Sequence, residues 1–156
     1  MDAEKEKKLT ASLEDYLEVI LNLSADGCPA RSRDIASSLE VSRSSVTGAL
    51  KELADRGLIN YKPYAYITLT DTGMREAQRI ADKHDIIASF FVNILGVDKP
   101  SAQKAACKAE HALGPKIVGR LLSFVKFVSE NNSNGFDLAK QFDQYCRQNQ
   151  NDSNGD

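Results

Sequence analysis

Apolar positions recur at helical spacing along nearly the whole chain, and only one stretch departs from that period. Between Leu9 and Ser24 the stripe is Leu13, Tyr16, Leu17, Ile20 and Leu23, which predicts an amphipathic helix starting near residues 10 to 12. Ser12 with Asp15 reads as its capping pair and Asp26-Gly27 as its end. Cys28-Pro29-Ala30 is a connector. Arg31 to Leu39 forms a short helix with Ile35, Ala36 and Leu39 inward, and Glu40-Val41 is a tight turn. Ser42 opens a longer helix through Val46, Leu50 and Leu53, which Gly57 terminates. Next come the β-rich runs Leu58 to Tyr61 and Tyr66 to Leu69, a hairpin around Lys62-Pro63-Tyr64-Ala65. The helical period resumes at Thr70-Asp71-Thr72-Gly73 and continues to about Leu95. Past the break at Gly96 to Ser101, Pro100 suits the first turn of a helix reaching Leu113. Gly114-Pro115 separates it from an apolar-rich helix with Ile117, Val118, Leu121, Leu122, Val125 and Val128, a stripe rich enough for a dimer core. Asn131 to Gly135 is a loop, Phe136 to Cys146 a last helix, and Gln148 to Asp156 a polar tail.

The order helix, tight turn, helix, hairpin within residues 31 to 69 describes a winged helix-turn-helix. The fold class is therefore mainly α. A winged helix-turn-helix domain occupies residues 1–70, an all-helical domain 71–147 and a disordered tail 148–156. In Asp34-Ile35-Ala36-x-x-Leu39-x-Val41-Ser42-x-x-x-Val46 the apolar residues fall where two such helices must pack, and the small Ala36 lets them approach. Ser42, Arg43, Ser44, Ser45 and Thr47 cluster at the start of the second helix, the end that enters a major groove. Arg31, Arg33, Lys51, Arg56 and Lys62 add local positive charge, with Lys62 to Tyr66 as the wing. Double-stranded DNA is the expected partner, although this geometry also serves protein-interaction domains.

Composition narrows the alternatives. An apolar share of 42% is enough for a real core, and 20 Lys and Arg against 22 Asp and Glu exclude a general polycation. No apolar run approaches the roughly 20 residues that span a bilayer, so no membrane partner is expected. Met1 to Lys8 is charged with no apolar stretch behind it, unlike a signal peptide. Three cysteines, Cys28, Cys107 and Cys146, do not make a disulfide framework. A cytoplasmic location is the expectation.

The chain has 2 histidines, and one of them closes the run Cys107-x-x-Glu110-His111. On a helix, positions i, i+3 and i+4 share a face, so a thiol, a carboxylate and an imidazole converge. His84 lies in the preceding long helix, and Asp15 and Glu18 lie one turn apart on the first. Singly, each has an ordinary explanation: Cys107 among alanines suits a core, His84 a surface, Asp15 and Glu18 a solvated flank. Jointly, they fit one metal site assembled across helices.

These residues carry a family resemblance over about residues 9 to 128. Glu14-Asp15-Tyr16-Leu17-Glu18-x-Ile20, Val41-Ser42-x-x-Ser45-Val46 and Leu69-Thr70-x-x-Gly73, with His84 and Cys107-x-x-Glu110-His111, resemble the diphtheria toxin repressor family, closest to its manganese transport regulator branch. The resemblance implies a homodimeric, metal-activated transcriptional repressor of metal-uptake genes, not an enzyme. It reads pseudo-palindromic DNA, and residues 71–147 become a metal-binding and dimerisation domain. The matching ligands are Asp15, Glu18, His84, Cys107, Glu110 and His111, for Mn2+ or Fe2+, with Co2+ or Zn2+ as substitutes.

Two departures stand out. The manganese branch has a glutamate at the place of Cys107, and the iron branch a methionine at that of Asp15. Ala88 and Gln103 occupy the positions of the acid and histidine of the iron branch's ancillary site. The rival readings are a metal-independent winged-helix regulator and a small metalloenzyme.

Overall fold

A computed structural model describes residues 9–132, except 26 and 28, and residues 137–152. Cys28, the loop residues 133–136 and the tail residues 153–156 lie outside the described residues. Backbone contacts divide the chain into two compact units, Met1–Ala81 and Asp82–Asp156.

In the first unit, α1 (Ala11–Ser24) buries Leu13, Tyr16, Leu17 and Ile20, the predicted stripe. Its cap is Thr10, whose hydroxyl accepts from the Leu13 N–H at 3.3 Å, and not Ser12. α2 (Ser32–Leu39) ends on Glu40, whose left-handed backbone (φ 54°) makes the tight turn into α3 (Arg43–Asp55). Ser42 caps α3 by accepting from the Ser45 N–H at 3.2 Å. α1 packs on α2 and α2 on α3, with Ile35, Val46, Leu50 and Leu53 fully buried between them. The predicted hairpin is present but short: β1 (Ile59–Asn60) pairs antiparallel with β2 (Thr68–Leu69). Ala30 adds a bridge to Ile67, whose side chain is fully buried, so the chain before α2 closes the sheet.

Thr70 begins α4 (Asp71–Asn93). Its hydroxyl accepts from the Gly73 N–H at 3.0 Å and donates to the Gly57 carbonyl at 2.7 Å. Ala77 and Ile80 on the first half of α4 complete the core of this unit.

The second unit takes the rest of α4 together with α5 (Lys99–Ala109), α6 (Pro115–Asn131) and α7 (Leu138–Asp152). Its central cluster is small: Ile87, Ala88 and Ala106 are buried, with Phe91, Ala109, Leu113 and Leu121 packed around them, and Ile94, Ala102, Val118 and Val128 are buried outside it. Ala88 is thus a core position. α5 starts on Asp98, which accepts from the Ser101 N–H at 3.0 Å, with Pro100 in the first turn as expected.

Two helix ends depart from the sequence reading. α5 stops at Ala109, four residues before Leu113, and Gly114, held extended by the proline that follows it (ψ 162°), leads into α6. The intervening residues curl back through Ala112 and Leu113 N–H bonds to the Ala109 carbonyl. α7 begins after Asp137, which accepts from the Lys140 N–H, and runs to Asp152. Residues 148–152, expected in a disordered tail, are therefore helical. Among the described residues no helix is long and apolar enough to cross a membrane.

Candidate metal centre and nucleic-acid interface

Glu110 is the least ordinary side chain of the second unit. Among the described residues it is the carboxylate with 0% exposure, at the residue that closes α5. A carboxylate there has lost its water and needs partners that favour negative charge. Both histidines of the chain supply them. His84 Nδ1, from α4, lies 2.7 Å from Glu110 Oε2, and His111 Nε2 lies 3.4 Å from Glu110 Oε1. Each imidazole keeps a small exposed fraction, 14% and 16%. The turn after α5 matters to this geometry. His111 has left the helix, so it reaches Glu110 from the bend and not from a straight helical face.

Cys107 stands one turn before Glu110 on the surface of α5, while Ala102 and Ala106 take the buried positions. The core explanation of this thiol is set aside. Asp15 and Glu18 lie one turn apart on α1 in the first unit, both half-buried. Gln103 is the contact that sequence reasoning missed. Its Oε1 lies 2.6 Å from His84 Nε2. The sequence marks the position only as the place of the iron branch's histidine, and its i, i+4 spacing to Cys107 is the available signal.

A divalent transition metal fits this donor set. An imidazole nitrogen and a carboxylate oxygen at 2.7 Å are held together by a shared proton or cation, and the second imidazole faces the other oxygen of the same carboxylate.

In the first unit all nine residues expected at DNA are exposed: Arg31, Arg33, Ser42, Arg43, Ser44, Ser45, Thr47, Lys51 and Lys62. Their local partners differ. Ser42 Oγ holds the cap and also hydrogen-bonds the Ser44 and Ser45 hydroxyls at 2.9 and 2.8 Å, so the three form one hydroxyl cluster at the helix start. Thr47 Oγ1 donates to the Arg43 carbonyl, which leaves its methyl group and the Arg43 side chain outward. No acidic residue lies in the first turn of α3, so the positive end of the helix is open to phosphate. Arg33 pairs with Asp34 at 3.3 Å. Arg56 is taken by Glu52 at 2.6 Å, which removes it from the free positive charge. Arg31 stacks over the ring of Tyr66, 4.7 Å from its centroid, and donates to its hydroxyl. Tyr66 ties the wing to the start of α2.

A winged helix joined to a helical unit with imidazole, carboxylate and thiol donors defines a metal-responsive DNA-binding regulator. Known proteins agree. Residues 8–66 match the iron-dependent repressor N-terminal DNA-binding domain, and residues 70–135 the iron-dependent repressor metal-binding and dimerisation domain. An uncharacterised HTH-type transcriptional regulator of Methanocaldococcus jannaschii is 41% identical over 119 residues, covering 76% of this chain and 95% of that protein. The HTH-type transcriptional regulator MntR of Bacillus subtilis is 31% identical over 129 residues, covering 83% and 90%.

Among solved structures, a manganese-dependent transcriptional repressor in complex with manganese superposes with a TM-score of 0.69 at 28% identity, over 74% of this chain and 53% of that one. ScaR with bound Zn2+ gives 0.63 at 28% identity, over 74% and 54%. The chain thus spans about half the length of these two solved proteins. The chain belongs to the iron-dependent repressor family, the group of metal-dependent DNA-binding repressors that includes the diphtheria toxin repressors. Members are transcriptional regulators and not enzymes, which removes the metalloenzyme reading.

Proposed function

We propose that this chain is a homodimeric repressor of metal-uptake genes, activated by Mn2+ or Fe2+. In this reading Asp15, Glu18, His84, Cys107, Glu110 and His111 hold the ion. The observation that carries it is the convergence of both histidines on the two oxygens of one buried carboxylate. When bound, the ion supplies a positive centre that hard oxygen donors and neutral imidazoles share, a set that suits Mn2+ and Fe2+.

The chain's own residues do the rest. Glu110, already desolvated, neutralises charge without a further burial cost. His84 and His111 orient on it, and Cys107 tunes preference towards softer ions. Asp15 and Glu18 belong to the helix that supports α2 and α3, so their recruitment to the same ion favours one arrangement of the DNA-reading unit over others. On the DNA, the Ser42 to Thr47 start of α3 enters the major groove, and Arg31, Arg33, Lys51 and Lys62 meet phosphates. A twofold dimer then reads a pseudo-palindromic operator with half-sites about one helical turn, or a multiple, apart. The small central cluster of the second unit beside exposed Ile117, Phe124 and Phe127 on α6 supports dimerisation through that unit. A cytoplasmic location follows from action on chromosomal DNA.

The test is selection of duplex DNA from a random pool with Mn2+, with Fe2+ under anaerobic conditions, and with a chelator. Binding of a pseudo-palindrome in either metal, weaker in chelator, is the expected result. Equal binding in chelator would leave a metal-independent winged-helix regulator.

A further inference from the structure

His84 has two ring nitrogens and can offer only one to an ion. The neutral ring keeps its hydrogen on the other, and whichever group accepts that hydrogen decides which nitrogen is the donor. In this chain both nitrogens face a specific partner: Nδ1 faces Glu110 Oε2 at 2.7 Å and Nε2 faces Gln103 Oε1 at 2.6 Å. A carboxamide oxygen only accepts, so Nε2 keeps its hydrogen towards Gln103, while Nδ1 and the Glu110 carboxylate share a proton that an ion can displace, freeing the Nδ1 lone pair. Were the carboxamide turned round, its N–H would donate to Nε2 and move the ring hydrogen to Nδ1, closing the face towards Glu110. The orientation of one exposed glutamine therefore selects the donor atom.

We propose that Gln103 is a positioning residue of the metal centre, holding the His84 hydrogen on Nε2 so that Nδ1 is the ring's donor. This rests on the metal site proposed above. Gln103 suits the role for a structural reason. It stands on α5 one turn before Cys107, so the helix that carries Cys107 and ends on Glu110 also carries the group that orients the histidine of α4. Being uncharged, it does this without adding an anion beside the ligands.

The experiment loads the full chain, with 15N-labelled histidine, with 113Cd2+ and reads cadmium–nitrogen coupling by NMR. His111→Gln identifies the His84 signals, since the chain has 2 histidines. We expect coupling at His84 Nδ1 with the hydrogen retained on Nε2. In Gln103→Ala, Cd2+ affinity falls by about 10- to 100-fold, the scale for outer partners of metal-bound histidines, and the coupling spreads over both ring nitrogens. Gln103→Glu, which keeps an accepting oxygen, restores coupling at Nδ1. Coupling at Nε2 in the unaltered chain overturns the proposal and leaves the metal site standing. Unchanged affinity and coupling in Gln103→Ala overturns it equally. Cd2+ that binds without coupling to either histidine overturns the metal site as well.

Discussion

Cys107 shows how the neighbours of a single residue can mislead about its place. Its alanine neighbours suggest a core thiol, yet the inward face of α5 belongs to Ala102 and Ala106, and Cys107 is exposed. Alanines populate both faces of this helix, so composition gives no direction there. A thiolate favours softer ions than a carboxylate does, so Cys107→Glu should raise Mn2+ affinity relative to Zn2+. Competition against a fluorescent chelator measures both, and an unchanged ratio would mean that the thiol does not ligate. Gly73 is the opposite case. The pattern Thr70-x-x-Gly73 was legible, but its reason is three-dimensional: a Cβ at Gly73 would lie 1.8 Å from the Leu58 carbonyl oxygen. No flexible side chain is there to give way, so backbone must move. Gly73→Ala should lower the stability of the first unit by about 2–3 kcal/mol, as overpacking does, seen as a lower urea midpoint. A midpoint equal to that of the unaltered chain would show that the start of α4 can slide.

Helix existence was legible throughout the described residues, because each carries an apolar stripe, whereas helix ends depended on contacts the stripe does not encode. Thr10 and Ser12 are both hydroxyl residues able to cap α1, and the hydrogen bond to Leu13 decides for Thr10. α7 outlasts its apolar stripe because polar residues continue it with local pairs, such as Arg147 with Asp143 at 2.7 Å. Asp98 makes a cap with a pH signature. Its carboxyl is held below the ordinary range chiefly by the Ser101 backbone N–H. A depressed folded value means that the contribution is present above the unfolded aspartate pKa, near ~4, and is lost as pH falls through the lower folded value. Amide exchange at Ser101 should therefore show α5 fraying on acidification, and Asp98→Asn should weaken that pH dependence. On α6 the argument concerns a face. Phe127 is 57% exposed and Phe124 40%, beside a small central cluster of buried residues. If this face meets a second copy, Phe127→Asp should weaken the dimer by about 2 kcal/mol or more, roughly 30-fold, the cost of losing an aromatic anchor. Sedimentation at micromolar concentration reads this directly, and an undiminished dimer would place the interface elsewhere.

At the scale of the whole chain, the division into a DNA-reading part and a metal-binding part was legible near Thr70, where the two family domains meet. Punctuation at Thr70 to Gly73 suggests a break before α4, whereas the contacts divide at Ala81. α4 places Ala77 and Ile80 in one core and Ile87 and Ala88 in the other. A helix shared by two cores has no glycine or proline at the division to announce it. The proposed ligands are divided in the same way, with Asp15 and Glu18 in one unit and His84, Cys107, Glu110 and His111 in the other. If one ion engages both groups, its affinity depends on the state of the DNA-reading unit. Thermodynamics then requires reciprocity: the factor by which Mn2+ tightens DNA binding equals the factor by which DNA tightens Mn2+ binding. We expect a shared factor of about 5- to 150-fold, the usual span of such couplings. Both halves must be measured at one ionic strength, because phosphate contacts make DNA affinity fall steeply with salt. Glu18→Gln keeps the side chain's size and removes its charge, so it should shrink the two factors together. DNA binding in chelator should stay as it was, because Glu18 is on α1 and not among the residues facing DNA. A variant that loses chelator-insensitive DNA binding as well would make Glu18 a structural residue of the winged helix. Unequal factors in the unaltered chain would reveal a further equilibrium, such as dimer dissociation, hidden in one of the two titrations.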